Sequence, residues 1–573
     1  MVERRLRPFA PPRVHPALGV DAALLVGVLL LLYALVRAAP AVAGPIAHAP
    51  AISLSPASLP GYVGLSLLRM TAAFAASLLF SLVYGYVAAH SAAAERILIP
   101  LLDILQSVPV LGFLSFTVTA FVQLAPGSLI GPQLASVFAI FTAQAWNMTF
   151  AFYHSLRTIP RDLGEAAALY HLGPLERLLQ LELPAAVIPL VWNSMLSFGA
   201  SWVFLTASEA ITVSSHTILL PGIGSYIAVA IARGAAGPVM WAIATMLAVV
   251  VLLDQLVWRP LVAWSHRYQL TANAPTGEEP TSWALTLLTR SALLPWLGRH
   301  LAAPLERLRQ RGAGGLEEVG PLRPWVGRVA GALLLLAAAA AILPALWHLA
   351  QAMAAMPAAV YARFLLATAA TLARVLAAVL LGALWCVPVG VAIGQSRRLT
   401  AYLEPVVQNA AAFPANLLYG LAVLLFLRLH LSMSFGAVLL MMLGTQWYIL
   451  FNIIAGTQAL TGDLLEAGKV FGLRGMERWR SLILPGIFPS LVTGGLTAAG
   501  GAWNLSILAE AASWAGHRLV AFGLGSLITQ AAGSGQEAHL FLGILLMSAT
   551  VVGLNAVLWR PLYRLAESRF HIE

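Results

Sequence analysis

"EAGKVFGLRGMERWRSLILP" runs from Glu466 to Pro485, and "EAAALYHLGPLERLLQLELP" runs from Glu165 to Pro184. Each begins with Glu-Ala and closes on Leu-Pro nineteen residues after the Glu. Each is charged and lies between long apolar runs. In the second copy Glu466, Ala467, Val470, Leu473 and Glu477 recur at helical spacing, and Gly472 predicts a helix break or a close approach. Leu484-Pro485 opens the next apolar run, where proline is tolerated in a first helical turn. One copy would read as an ordinary charged loop helix. Two copies at matched spacing read as a pair of handles rigidly joined to membrane helices.

The surrounding chain fixes the solvent. Of 573 residues, 60% are apolar and 10% charged, and mean hydropathy is +0.84. Soluble domains carry about 25% charged residues, so this composition predicts a polytopic membrane protein. Runs such as "AALLVGVLLLLYALV" (Ala22 to Val36) are continuous rather than alternating, which selects helices over a β-barrel. The net charge of +10 does not point to nucleic acid, because the basic residues cluster in short segments beside the apolar runs. A single cysteine, Cys386, rules out an intrachain disulfide.

The two handles extend into a tandem repeat. At an offset of 305 residues Arg69 meets Arg374, Gly85 meets Gly390, Pro100 meets Pro405 and Pro109 meets Pro414. At 301 residues Trp146 meets Trp447, Trp202 meets Trp503, Glu209 meets Glu510, and His216 meets His517. Gly222 and Gly224 meet Gly523 and Gly525, and "WRPL" at 258–261 meets "WRPL" at 559–562. The expected architecture is all-α, with two parallel six-helix repeats and about 12 transmembrane helices. Spans are expected near 20–39, 62–90, 104–124, 132–154, 185–207 and 236–260, then near 328–350, 364–394, 408–429, 433–457, 486–508 and 538–562. The halves cover residues 1–268 (core repeat 62–268) and 323–573 (core repeat 364–573), joined by a cytoplasmic linker, 269–322, with an amphipathic helix near 298–311. A matching first apolar run in each half implies that the N-terminal one is retained rather than cleaved. Lys and Arg beside the spans place both termini and both charged segments in the cytoplasm.

These repeated residues resemble those of a known family. Glu-Ala-Ala, a Gly six residues after the Glu, and a closing Leu-Pro are similar to the EAA motif of ABC importer permeases. The stretches "SLLRMTAAF", "TLARVLAAV", "SWVFLTASEA" and "AWNLSILAEA", the last two followed by Gly-x-Gly, resemble the nitrate/sulfonate/taurine/bicarbonate group. The resemblance spans nearly the whole chain outside the linker and implies a type I importer fold, duplicated and fused, so that one chain serves as the pseudo-dimer. It implies that Glu165, Ala166, Ala167, His171, Gly173 and Pro184, with Glu466, Ala467, Gly468, Gly472 and Pro485, form coupling helices. His171 stands where the motif has Gly, which sets equal docking of the halves in question and makes the second copy the more sensitive one. Implied partners are two ABC ATPase subunits, which carry the ATP and Mg, and a periplasmic substrate-binding protein. The implied place is a bacterial inner membrane. No G-x-x-x-x-G-K-[ST] loop occurs in the chain, so a transport subunit binding no cofactor of its own, not an ATPase, is expected.

Polar residues inside spans tend to face a pathway or to bond a neighbouring helix. Asp103, Gln106, Gln144, Asn147, Asn193, Gln408, Asn409, Gln446 and Asn504 are such residues. Arg69 and Arg374 either attract anions or pair structurally. Glu209 with His216, and Glu510 with His517, read as helix-end packing, as a gate, or as a divalent-metal site across the pseudo-twofold axis. The expected cargo is a small inorganic or organic anion, with a divalent metal through those Glu/His pairs as the alternative. A secondary transporter built from parallel repeats is the competing class.

Overall fold

A computed structural model describes residues 51–213, 216–268, 282–291, 347–460 and 462–570, together with Asp21 and Pro344. The first expected span of each half, near 20–39 and 328–350, and the amphipathic helix near 298–311 fall almost wholly outside the described residues.

Each half repeats one element order. In the first, α1 (Leu59–His90) is followed by α2 (Ala92–Ser107), α3 (Val110–Leu124) and α4 (Ile130–Arg157). The charged segment holds α5 (Arg161–Leu169) and leads into α6 (Leu183–Ala200) and α7 (Trp202–Glu209). A hairpin of β1 (Ala210–Val213) and β2 (His216–Leu219), a short helix α8 (Ile223–Ala232) and α9 (Ala236–Leu253) complete it. The second half repeats this with α10 (Ala358–Gly394), α11 (Arg397–Ala412), α12 (Tyr419–Arg428), α13 (Met433–Gln458), α14 (Gly462–Val470) and α15 (Leu484–Ala509). It ends with β3 (Ala511–Trp514), β4 (His517–Val520), α16 (Leu524–Ser534) and α17 (Glu537–Leu554).

Among the described residues eight helices are long and apolar enough to cross a membrane, or ten if each of two bent pairs counts as one span. Those pairs correct the expected spans near 104–124 and 408–429. α2 and α3 meet at 87°, and α11 and α12 at 76°. Each break falls at an aligned proline, which cannot donate a helical hydrogen bond: Pro109 caps α3, and Pro414 caps the short 3-10 turn Ala415–Leu418 that leads into α12. The two hairpins are the other departure from an all-helical reading, and each is antiparallel and two-stranded. In the second, Ala515 and Gly516 take φ of 50° and 81°, the left-handed pair that a two-residue hairpin turn requires.

Among the described residues, those between 51 and 254, Tyr268, and those between 353 and 570 form one compact unit, so the described parts of the two repeats are halves of a single folded body. The hairpins exchange contacts between them. β1 packs on α3 of its own half and on α16 of the other; β3 packs on α12 and on α8 in the same manner. Ala515 donates its backbone N–H to Ile231 O at 2.9 Å across that boundary. The other unit contains, of the described residues, 255–267, 282–291 and 347–352, where Trp283 Nε1 donates to Gln255 Oε1 at 3.2 Å.

Candidate functional site: two charged segments and two buried ion pairs

The charged segments have the same backbone shape. α5 and α14 each end in a left-handed residue, His171 at φ 52° and Gly472 at φ 71°. Leu172 N–H bonds Ala167 O at 3.1 Å and His171 N–H bonds Ala168 O at 3.0 Å; Leu473 to Gly468 and Gly472 to Lys469 repeat this at 3.0 Å each. This double bond satisfies the last helical carbonyls and normally recruits Gly. His171 therefore preserves the turn at a steric cost instead of altering it, which removes the backbone reason for expecting the halves to dock unequally. His171→Gly is expected to stabilise the chain by up to about 1 kcal/mol, read as a rise in midpoint temperature.

Beyond the turn the chain widens into an i→i+5 hydrogen-bonded turn, 178–182 or 479–483, before the next span. Pro184 and Pro485 then occupy the first turn of α6 and α15, as the sequence suggests. Glu165 and Glu466 are both exposed, while Ala167 and Gly468 are buried and hold each helix against its own half. Beside them lie residues that no sequence signal marks. Leu169 and Tyr170 are 80% and 81% exposed, and their aligned partners Val470 and Phe471 are 85% and 80% exposed. Each handle thus offers an apolar pair at its tip next to an acidic residue. Only the first is also tied down by buried Glu182, which meets His90 Nε2 and Arg177 Nε, each at 2.9 Å. The matching positions are Gln395 and Ile483.

At the opposite end of the spans lie two buried ion pairs. Arg69 is 21 residues from the end of α1 and Arg374 is 20 from the end of α10. At 1.5 Å per residue that is about 30 Å, one hydrocarbon thickness away from the charged segments. Arg69 Nη1 donates to Glu209 Oε1 at 2.6 Å, and Arg374 Nη1 to Glu510 Oε1 at 2.7 Å. The second guanidinium nitrogen donates to Pro221 O or Phe522 O, each at 2.8 Å. Ser66 or Thr371 donates to the same carboxylate while accepting the N–H of Ile223 or Leu524. Gly224 N–H and Ser526 N–H complete the cages, at 2.6 and 3.2 Å from the second carboxylate oxygen. Both Glu side chains are fully buried. The cage explains Gly-x-Gly. A Cβ on Gly222 or Gly523 would stand 2.3 Å from the carboxylate, and one on Gly224 or Gly525 would stand 2.2 or 2.5 Å from the preceding helix's carbonyl oxygen. Gly222→Ala and Gly523→Ala are expected to destabilise by about 1–3 kcal/mol or more, detected as earlier thermal unfolding.

Of the alternatives for the Glu/His pairs, the second cage favours helix-end packing of Glu510 over a shared metal site with His517. Glu510 is filled by Arg374, Thr371 and Ser526, whereas His517 is exposed near the hairpin tip, opposite Trp514. Four strand steps separate them, about 13 Å. Among the described residues no group of three or more metal-ligating side chains occurs. The His216 side chain lies outside the described residues. Arg69 and Arg374 are likewise paired rather than open to an anion.

The remaining polar residues divide. Gln144 is buried and donates to Ser201 Oγ at 2.8 Å, and Trp385 Nε1 donates to Gln446 Oε1 at 3.0 Å; these are helix–helix bonds. Gln106 bonds Asp103 at 3.1 Å, and Asn147 is exposed. Gln408 reaches Met195 of the other half. Asn193, Asn409 and Asn504 donate back to carbonyls one turn earlier, at 2.9, 2.8 and 3.4 Å.

Duplicated broken and unbroken spans, exchanged hairpins and paired handles define a multi-pass membrane permease with both halves in one chain. The chain belongs to the family described as binding-protein-dependent transport system inner membrane component, which it matches twice, over residues 81–257 and 386–570. It is 24% identical over 205 residues to a bicarbonate transport system permease protein of Synechococcus elongatus, covering 36% of this chain and 67% of that protein. It is 26% identical over 195 residues to a nitrate import permease protein of Leptolyngbya laminosa, covering 34% and 65%. A putative ABC transporter permease protein of Methanocaldococcus jannaschii is 26% identical over 143 residues, covering 25% and 52%. The chain is therefore a fused, duplicated permease, a transport subunit rather than an enzyme.

Proposed function

We propose that this chain supplies both halves of the translocation pathway of an ATP-driven importer for a small anion. The observation that carries this reading is the pair of handles, alike in backbone, each with an exposed Glu and an apolar tip. Each tip docks on one separate ATPase subunit, and the rigid connection through Pro184 or Pro485 passes its movement to the fifth span. Both handles and both termini face the cytoplasm, in accord with the Lys and Arg bias. The hairpins then face outward, where a soluble binding protein delivers the solute. Halves 1–268 and 323–573, joined by the 269–322 linker, rock about an axis along the membrane normal. A bicarbonate and a nitrate permease among the relatives support the anion.

The test is uptake into proteoliposomes holding the chain with its ATPase and binding protein, with bicarbonate, nitrate and divalent metals offered in parallel. ATP-dependent anion uptake is expected. Uptake driven by an ion gradient with no ATP would establish a secondary transporter and overturn the reading.

A further inference from the structure

The two handles are seated on their halves by different chemistry. In the first, His90 closes α1 and lies against Glu182, in the i→i+5 turn 178–182. The Glu182 side chain is 2% exposed and that of His90 is 34% exposed, so one end of the contact is dry and the other meets water. Arg177, at the base of the handle, donates to the same carboxylate oxygen, Oε1. Glu182 Oε2 is buried and has no hydrogen-bond partner among the described residues. Oε1 alone therefore joins the handle, the turn and the end of α1.

The partners of His90 fix how many protons this contact holds. Nδ1 lies 2.9 Å from Tyr86 O, and a carbonyl oxygen only accepts, so Nδ1 carries a hydrogen. Nε2 lies 2.9 Å from Glu182 Oε1. In a neutral imidazole with its hydrogen on Nδ1, Nε2 is a bare lone pair, and a carboxylate oxygen offers only another. Two lone pairs at that distance repel, so one further proton sits between them. The end of a helix attracts a cation, and the Tyr86 ring stacks on His90 at 4.1 Å, so an imidazolium is well placed here. Neighbouring titratable groups have other partners. Glu95 of α2 accepts from Tyr153 at 2.6 Å and lies 3.7 Å from Arg157 of α4, Tyr84 donates to Leu98 O, and Glu176 caps Gly173 N–H. His154 of α4 is exposed and stacks on Phe150, and Asp254 is buried beyond the end of α9. The helices α6 and α9 carry no charged residue.

The second half has no such contact. Gln395 and Val391 stand for His90 and Tyr86, and Ile483 stands for Glu182. Ile483 is 2% exposed and packs into the apolar core. A seat of that kind does not titrate.

We infer that His90, Glu182 and Arg177 form a proton-held latch between the first handle and α1, so that this seat, unlike the second, opens as the cytoplasm turns alkaline. The latch exists only while it holds the extra proton, so it is closed at lower pH and opens as pH rises. Histidine is the side chain suited to that range. The proton leaves to water through the exposed ring, and Glu182 is left with Arg177 alone. The effect on transport rests on the importer reading. With the latch closed, the first handle moves α1 and α6 together; with it open, the handle moves α6 alone. At lower pH both handles are seated, one by the latch and the other by Ile483.

Hydrogen exchange of the full chain in detergent reads the latch with no ATPase present. Amides of residues 178–183 are compared with those of the aligned residues 479–484. Base catalysis raises the intrinsic rates of both alike, so their ratio reports opening of the first turn relative to the second. Between about pH 6 and about pH 9 the ratio is expected to rise about tenfold, the equivalent of one charge-assisted hydrogen bond. His90→Gln is expected to keep the ratio flat, because an amide donates to Glu182 without a titrating proton. A flat ratio in the parent, or the same rise in His90→Gln, would overturn the latch. In the transporting complex, the solute carried per ATP is expected to fall at the higher pH in the parent and to hold in His90→Gln. Equal falls in both would overturn the role of the latch in coupling. Absence of ATP-dependent uptake at every pH would count against the importer reading instead and leave the exchange result standing.

Discussion

Glu209→Ala is expected to destabilise the chain by about 3–5 kcal/mol, and Arg69→Ala by a similar amount. Each leaves the other charge buried without its partner, since Arg69 is 4% exposed and Glu209 is 0% exposed. The loss extends past the ion pair. Ser66, Pro221 and Gly224 all bond the same two side chains, so the hairpin, α8 and α1 come apart together. The second cage is expected to tolerate the matching change better, because Arg374 is 11% exposed and can recover water. Thermal unfolding of purified protein in detergent measures both. The double variant Arg69→Leu/Glu209→Leu is expected to recover much of the loss, since a buried pair replaced by apolar side chains is often close to neutral. Single variants that unfold within about 1 kcal/mol of the parent would contradict the cage.

The second large effect is on coupling. Glu165→Lys and Glu466→Lys, made singly, are expected to break assembly with the ATPase or to leave ATP hydrolysis running without transport. Phe471→Asp and Tyr170→Asp are expected to do the same by placing a charge in the apolar part of the contact, where each buried side chain of this size contributes about 1.5–3 kcal/mol. The sequence alone made the second copy the more sensitive, because His171 displaces the Gly. With His171 and Gly472 holding the same left-handed turn, comparable losses from both copies are now expected. ATPase co-purification and the ratio of ATP hydrolysed to solute taken up are the readouts. Coupled uptake unchanged in both Lys variants would reject the role.

Much of this is legible in the sequence. Constant offsets between Arg69 and Arg374, and between Glu209 and Glu510, revealed the duplication because a repeated fold demands the same residues at the same depth. Long apolar runs gave the unbroken spans directly. The bends at Pro109 and Pro414 were harder, since the apolar signal continues through a kink that proline only punctuates. The hairpins were hidden for a related reason: four-residue strands in an apolar setting have no room to show alternation. Within the site, the Arg–Glu pairs were missed because 140 residues separate Arg69 from Glu209, and the histidine seven residues away looked the nearer partner. The matched offsets held the signal, for Ser66 and Thr371 recur with Arg69 and Arg374. The exposed pairs Leu169–Tyr170 and Val470–Phe471 look like any apolar residues in a list of letters; only their placement at the tips of two handles sets them apart.

One chain supplies both halves of the permease and, in the proposed reading, both docking handles. Native mass measurement of the complex purified through this chain tests it most directly. One copy of the chain with two ATPase subunits is expected, falling to one or no ATPase subunit when Glu165 and Glu466 are replaced by Lys singly and together. Two copies of the chain for each pair of ATPases, or a lone chain that transports without them, would contradict it.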